Sequence, residues 1–569
     1  MDHTEARDYA RKTIISDVFL KAREEYISDG RGEEQTEGWL FDFRRCIMQG
    51  KFMDALSVVF TDAFKSLPRY QVCGLEVAAI PLVTGITQYR YTHGDSDANG
   101  FFIRKSRKKS GLLRMIEGTI QENTPIILVD DISNEGGTFM RQIIVLEDLG
   151  YKVHAVWSIL RYRDISFYAT LHERGIEVHS LFELNDFSRE IDVGNLIKKI
   201  STPPPQQFHK ALWKFSANNP NLFWVVPKSG VTLDATKAYF GADNGFFYAI
   251  SQSDGSVAWS FKVGYATQGK SIFSTPAIHN DIVYFGSYDG NVYALNANTG
   301  KRLWTFFDAD WVGSSPALAP ELGIMFIGLE FGLFKKRGGI AAISMETGKK
   351  IWWDNTMQNL THATPLYIEK TKQVSIGSND GILRLYDAQS GTCVWKVKTG
   401  DPSPEELRTG FSRFDIKEAP AYASGPDLII VANMEKDVYA INRTDGSVRW
   451  HSEVMEFGSW GTPCVHGDMV SISSLDKYVY TFNVLSGALI WKTRLRARVL
   501  ASPILTEDGL IIGCNAGRIS ILNPNTGALL GYTTVSERIT NRAQYNHHTK
   551  VLFVTTYANE LYALKRIQE

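Results

Sequence analysis

The sequence predicts a two-part chain: an α/β domain built on a parallel sheet flanked by helices, then an all-β propeller. Three observations carry this. Short apolar runs alternate with helical patterns as far as about residue 187. A proline run, Ser201-Thr-Pro-Pro-Pro-Gln-Gln207, then breaks the pattern. Beyond it a strand–turn–strand unit recurs with a tryptophan four residues after a turn glycine. The implied divisions are 1–36 (a helical extension), 37–200 (the α/β domain), 201–210 (a linker) and 211–569 (the propeller).

At 569 residues each part can bury its own core, and a hydrophobic fraction of 44% is ordinary. Charge is balanced at −1, and residues 1–200 hold 26 Lys+Arg against 30 Asp+Glu, so a nucleic-acid partner is not expected. No apolar run is long enough to span a membrane, and MDHTEARDYARKT lacks an apolar leader core. Five scattered cysteines (Cys46, Cys73, Cys393, Cys464, Cys514) form no CxxC and no metal spacing. They read as reduced thiols, and the expected location is the cytoplasm.

Thr13–Tyr26 reads as a helix with Ile14, Val18 and Leu20–Ala22 as its apolar stripe. Helical spacing returns over Arg45–Phe64, Ile80–Gln88, Gly137–Leu149 and Ser166–Glu173. Strands are expected at Tyr70–Gly74, Phe101–Lys105, Ile126–Val129, Lys152–Leu160 and Ile176–Phe182. Such alternation places ligands at the carboxyl ends of the strands.

The richest stretch is PIILVDDISNEGGTFMR, 125–141. The buried strand Ile126–Val129 ends on Asp130 and Asp131; a glycine loop and a helix start follow. Paired acids can hold vicinal hydroxyls and, through water, Mg²⁺. The backbone of Asn134, Glu135, Gly136, Gly137 and Thr138 can close around a phosphate at the positive end of a helix. The densest basic cluster is Arg104–Lys109, five bases in six residues.

VDDISNEGGT resembles the phosphoribosyl-pyrophosphate (PRPP) loop of type I phosphoribosyltransferases, and its neighbours resemble the orotate branch of that family. WLFDFR, 39–44, is similar to the base-binding segment, GLEVAAIP, 74–81, to the pyrophosphate loop, and RKSRKKSG, 104–111, to the mobile catalytic loop. GIEVHSLF, 175–182, resembles the closing strand. The resemblance implies a Mg²⁺-dependent transferase with PRPP as substrate and an orotate-like or other base-like acceptor. It gives Asp130 and Asp131 to the ribose hydroxyls and Mg²⁺, and Lys108 to catalysis. Glu76, Val77, Ala78, Ala79, Arg104, Lys105 and Lys108 would hold the pyrophosphate, and Phe41, Asp42, Arg44 and Arg163 the base. In that family the mobile loop serves the neighbouring subunit, which implies a homodimer. Three positions depart: Ser110 stands where the family has His, Glu135 brings a negative charge to the phosphate loop, and Leu40 replaces a Tyr. A second reading follows, a PRPP- or nucleotide-sensing regulator without turnover.

The repeat runs YAISQSDGSVAW (248–259), YALNANTGKRLW (293–304), AISMETGKKIW (342–352), LYDAQSGTCVW (385–395), YAINRTDGSVRW (439–450) and YTFNVLSGALIW (480–491). A copy without tryptophan, ILNPNTGALLG, covers 521–531, and an eighth YAL lies at Tyr562–Leu564. The motif is similar to PQQ-like, tryptophan-docking propellers. Eight blades are expected, closed by Ala211–Phe215 against Leu561–Leu564; seven is the alternative. The tryptophans read as packing elements. No PQQ is expected, since the adjacent cysteine pair of the quinoproteins is missing. The rim would recruit a protein partner.

Overall fold

The computed structural model describes residues 1–21, 39–75, 79–104, 116–134, 136–189, 207–217, 228–264, 272–332 and 335–567. The chain divides into two compact units, Met1–Pro204 and Pro205–Glu569. No helix among the described residues is long and apolar enough to cross a membrane, and all five cysteines are free.

Unit one opens with helix α1, His3–Thr13, whose N-cap Asp2 and Glu5 form a reciprocal capping box. Ala6, Ala10, Ile14 and Val18, four residues apart, are all fully buried in the core of the unit. Thr13–Tyr26 is therefore not the helix expected. The helical path runs from His3 and widens into a π turn at Ile14–Val18, and strand β1, Phe19–Lys21, follows. The i, i+4 series began at Ala6, where small side chains left little hydrophobic signal. Strand β2, Trp39–Phe41, pairs antiparallel with β1.

The main sheet has six strands: β3 Gln71–Leu75, β4 Asn99–Ile103, β5 Ile116–Glu117, β6 Ile126–Ser133, β7 Val153–Arg161 and β8 Glu177–Glu183. Their spatial order is β5-β4-β3-β6-β7-β8. All pairs are parallel except β4–β5, which is antiparallel, so the sheet is mixed at one edge. Helices α2, Gly50–Ala63, and α3, Ala79–Thr92, pack into one core, and α4, Gly137–Asp148, into a second. The last expected helix splits into a 3₁₀ turn, Ile165–Tyr168, and the short α5, Ala169–Glu173.

Unit two is a ring of eight four-stranded antiparallel sheets, an eight-bladed propeller. The first blade begins at Thr232, and the eighth joins Gln544–Asn546, Val551–Thr555 and Glu560–Arg566 to β9, His209–Ser216. The closing register pairs Leu561 with Phe215, Tyr562 with Lys214 and Ala563 with Trp213. This is the closure the repeat predicted, and β9 begins at His209, inside the expected linker.

The tryptophans are staples between blades. Trp213 Nε1–H donates to the Gln252 carbonyl at 3.0 Å, Trp259 to Ala297 at 2.8 Å and Trp304 to Met345 at 2.9 Å. Trp352, Trp395, Trp450 and Trp491 repeat the contact with Ala388, Arg443, Val484 and Pro524. In each case the acceptor belongs to the next blade. The indole also lies on that blade's turn glycine: a Cβ at Gly255 would meet Trp213 at 2.6 Å, and one at Gly300 would meet Trp259 at 2.6 Å. These glycines also have φ near +70°, so two constraints select Gly. Gly531 takes the tryptophan's place in register, opposite Ile521. Its neighbour is the closing blade, whose fourth strand is β9 and is not joined to the third by a hairpin. There is no hairpin turn there for an indole to dock on, which explains the copy without tryptophan.

His209 lies at this seam, fully buried, with Nδ1 3.0 Å from Thr533 Oγ1. Its Nε2 has no hydrogen-bond partner and sits 3.9 Å from Asp508 Oδ2. Burial lowers its pKa from 6.5 to about 4, against the pull of Asp508. The folded state thus prefers the neutral ring. Stability is full above pH 6.5 and declines as the pH falls towards 4, by at most about 3 kcal/mol. In His209→Gln the propeller's melting temperature should lose that part of its pH dependence; an unchanged slope between pH 6.5 and 4 would refute the assignment.

Candidate functional site

The site is built around β6. Ile126–Val129 are at most 1% exposed, because a central strand with both faces covered must be apolar throughout. The strand continues through both acids to Ser133, instead of ending at Val129. Asp130 is 8% exposed and pairs in register with Ser158 of β7. The Asp131 N–H donates to Asp130 Oδ1 at 3.0 Å, and the Ile132 N–H to Asp131 Oδ1 at 2.9 Å. Burial holds the Asp131 carboxyl above the usual carboxylate range, against its hydrogen bonding with Asp130 and Ile132 and the charge of Arg44. A partly desolvated acid pair at a strand's carboxyl end is suited to a diol or a hydrated divalent cation.

Asn134 starts the loop, and two side chains hold it. Tyr168 O–H donates to its carbonyl at 2.8 Å, and Arg163 Nε to its Oδ1 at 2.8 Å. Gly136 is the N-cap of α4 with φ +67°, and a Cβ there would press on the Tyr168 ring at 3.3 Å. The N-cap residue, Gly136, makes no side-chain cap hydrogen bond. The loop thus leads into the positive N-terminal end of α4, a setting suited to a phosphate.

Gly74, at the end of β3, lies so close to α3 that a Cβ would sit 2.3 Å from Ala79 Cβ. Ala79 is buried at the start of α3. Glu76, Val77, Ala78, Lys105, Lys108 and Glu135 lie outside the described residues. Arg104 is described, with Nη1 3.4 Å from Glu117 Oε1.

Asp42 and Arg44 form an ion pair at 2.8 Å. Asp42 raises the Arg44 guanidinium above its ordinary value, chiefly by that hydrogen bond, and Asp131 adds a smaller pull. The segment after β2 and the acid pair on β6 are thus brought together. Phe41 is different: it is 3% exposed, with its ring packed on Phe19, Tyr162 and Phe187. Its side chain serves the core and is not available to stack on a base. Arg163, expected at the base, is engaged with the loop before α4 through Asn134.

Two residues escaped the sequence reading. Tyr168 clamps the loop, and Tyr162, half-buried, has its hydroxyl pKa raised by burial and then by the Asp131 charge. The only signal was their place just after β7 and at the next helical turn, where α/β folds put ligand-contacting loops.

A sequence model of the family described as outer membrane protein assembly factor BamB matches residues 209–366 and 379–566. The chain belongs to this family. The match covers the BamB-family propeller, and the N-terminal region has its own relatives. It is 24% identical over 163 residues to the orotate phosphoribosyltransferase of Methanosphaera stadtmanae, covering 29% of this chain and 85% of that protein. The Bradyrhizobium sp. orotate phosphoribosyltransferase is 27% identical over 169 residues, covering 28% and 90%. Unit one is thus a phosphoribosyltransferase-like domain. Among solved structures, the propeller is similar to quinohemoprotein alcohol dehydrogenase ADHIIG from Pseudomonas putida HK5 (TM-score 0.52, 12% identity, 64% of this chain and 78% of that one). It is also similar to the computationally designed Ika8 protein (TM-score 0.50, 13% identity, 62% and 98%). These two likenesses show the fold alone.

Proposed function

We propose that unit one transfers a phosphoribosyl group from PRPP to a base-like acceptor with Mg²⁺, while the propeller recruits a protein partner. The observation that carries this is the run from Asp130–Asp131 through the clamped Asn134 and left-handed Gly136 to the N-terminus of α4. It supplies, in order, acids for the ribose hydroxyls and N–H groups for the 5′-phosphate. Asp130 and Asp131 would hold Mg²⁺ through water or through PRPP, where the ion would offset the charge of the pyrophosphate. In the reaction a ring nitrogen of the base bonds to C1′ of the ribose, the C1′–oxygen bond to pyrophosphate breaks, and the base gives up its N–H proton. Preorganised charge at both the sugar and the leaving group lowers that barrier. Arg104, Lys105 and Lys108 would meet the departing pyrophosphate, Lys108 from a partner subunit in a homodimer. The setting would be the cytoplasm, where PRPP is available.

A sensing role without turnover is the second reading, favoured by the internal engagement of the two arginines expected at the base: Arg44 with Asp42, Arg163 with Asn134. One experiment separates the two. Incubating the chain with PRPP, Mg²⁺ and a panel of purine and pyrimidine bases should release pyrophosphate with at least one base, and none without Mg²⁺. PRPP binding by calorimetry without release with any base would establish the sensor instead; the absence of both would refute the PRPP site.

A further inference from the structure

The propeller carries a recess of about 70 Å³, reached by the connections that enter its second, third, fourth, fifth, sixth and eighth blades. Convergence of so many blades puts it on the axis of the ring. Two lysines beside it show how this region holds an ammonium group. Lys417 Nζ is 2.6 Å from Asp415 Oδ2 and lies over the rings of Phe411 and Trp460, at 5.0 and 5.6 Å. Lys228 pairs with Asp243 and lies over Phe273 and Tyr557, at 5.1 and 4.5 Å. In both cases a carboxylate and two aromatic faces enclose a cation.

A third carboxylate lines the recess without a cation of its own. Glu418 accepts a hydrogen bond from Thr364 Oγ1 at 3.4 Å, and no ion-pair partner lies within reach of it among the described residues. Burial pushes its carboxyl up to about 7, and the charge of Arg542 only partly counters this. His362, also in the lining, has Nδ1 3.1 Å from Glu330 Oε1. Glu330 is 1% exposed and also accepts the Gly313 N–H at 3.0 Å. That contact makes Nδ1 the donor, and in the neutral ring Nε2 is then an acceptor. The recess therefore offers two acceptors beside the rings of Trp460 and Phe411; its lining cation, Lys417, is committed to Asp415, and Glu418 has no such partner among the described residues.

We propose that this recess binds a small organic ammonium ion, with Glu418 and His362 Nε2 accepting its N–H groups and the aromatic walls covering its alkyl part. Nothing in this rests on the phosphoribosyl reading of unit one. The remaining charged groups around Glu418 are Lys417, Asp415, Glu330 and Arg542, and Lys417 is already neutralised by Asp415. Raising the pH from 6 to 8 ionises Glu418, which strengthens ammonium binding.

The test is calorimetric titration of the full chain with n-butylammonium chloride, beside 1-butanol as the neutral counterpart. Butylammonium should bind saturably at pH 8, at least about tenfold more tightly than butanol and several-fold more tightly than at pH 6. Glu418→Gln should cost about tenfold or more, and Trp460→Leu should also weaken binding, with the melting transition confirming that each variant is folded. Equal affinity for amine and alcohol, or an affinity in Glu418→Gln within twofold of the parent, would overturn the proposal. So would displacement of the amine by millimolar Ca²⁺ at a Glu418-dependent site, which would make the recess a metal site.

Discussion

The double variant Asp130→Asn, Asp131→Asn should show no measurable PRPP binding, a loss of at least about a hundredfold, in a chain that folds as the parent does. Each acid would contribute charge-assisted hydrogen bonds to the ribose hydroxyls or hold the metal, and each such bond is worth about 1.5–3 kcal/mol. The fold should tolerate the change because the backbone N–H groups of Asp131 and Ile132 donate to side-chain oxygens that asparagine also has. Burial already disfavours the charged form of Asp131 at neutral pH. Removing that charge should leave the melting temperature of unit one unchanged or raise it slightly, by about 0.5–1 kcal/mol in stability. Calorimetric titration with PRPP and Mg²⁺ reads the first effect and a thermal melt the second. Retained PRPP affinity in a folded double variant would remove β6 from the site.

Deleting Leu561–Glu569 should unfold or aggregate the propeller while unit one keeps its own melting transition. The segment contributes the third strand of the eighth blade and the ladder that joins it to β9. Leu561, Tyr562, Ala563 and Leu564 are at most 3% exposed. Exposing or removing three large side chains and a full ladder costs on the order of 5–10 kcal/mol, comparable to the whole stability of a domain. It also opens two sheet edges, which invite association. Two transitions by calorimetry in the parent and one in the truncated chain would be the expected record. A soluble, monodisperse, fully folded truncation would refute closure at this seam.

The phosphoribosyltransferase-like domain and the propeller differ in how much of each was legible. In the domain, the strand Ile126–Val129, the acid pair and the glycine start of α4 were readable because each depends on neighbours within a few residues. The helix ahead of them was misplaced, since Ala6 and Ala10 mark its buried face with methyl groups alone. Phe41 looked available to a base because a sequence motif does not say which way a ring turns. The cluster of Phe19, Tyr162 and Phe187, from three other parts of the chain, turns it inward.

In the propeller, the count of eight and the joining of the two ends followed from the repeat itself, because alternation, turn glycine and tryptophan are local and recur. What each tryptophan does was settled only by tertiary structure. Trp213 and Gly255, or Trp259 and Gly300, stand about forty residues apart, and their contact exists only when adjacent blades pack. The same packing explains Gly531, a loss that the repeat alone presents as decay: at the closing blade there is no hairpin turn to dock on. It also brings Glu418, His362 and Trp460 to one recess on the axis, from three different blade connections. Their spacing in the chain carries no period and no motif, so only the closure of the ring could place them together.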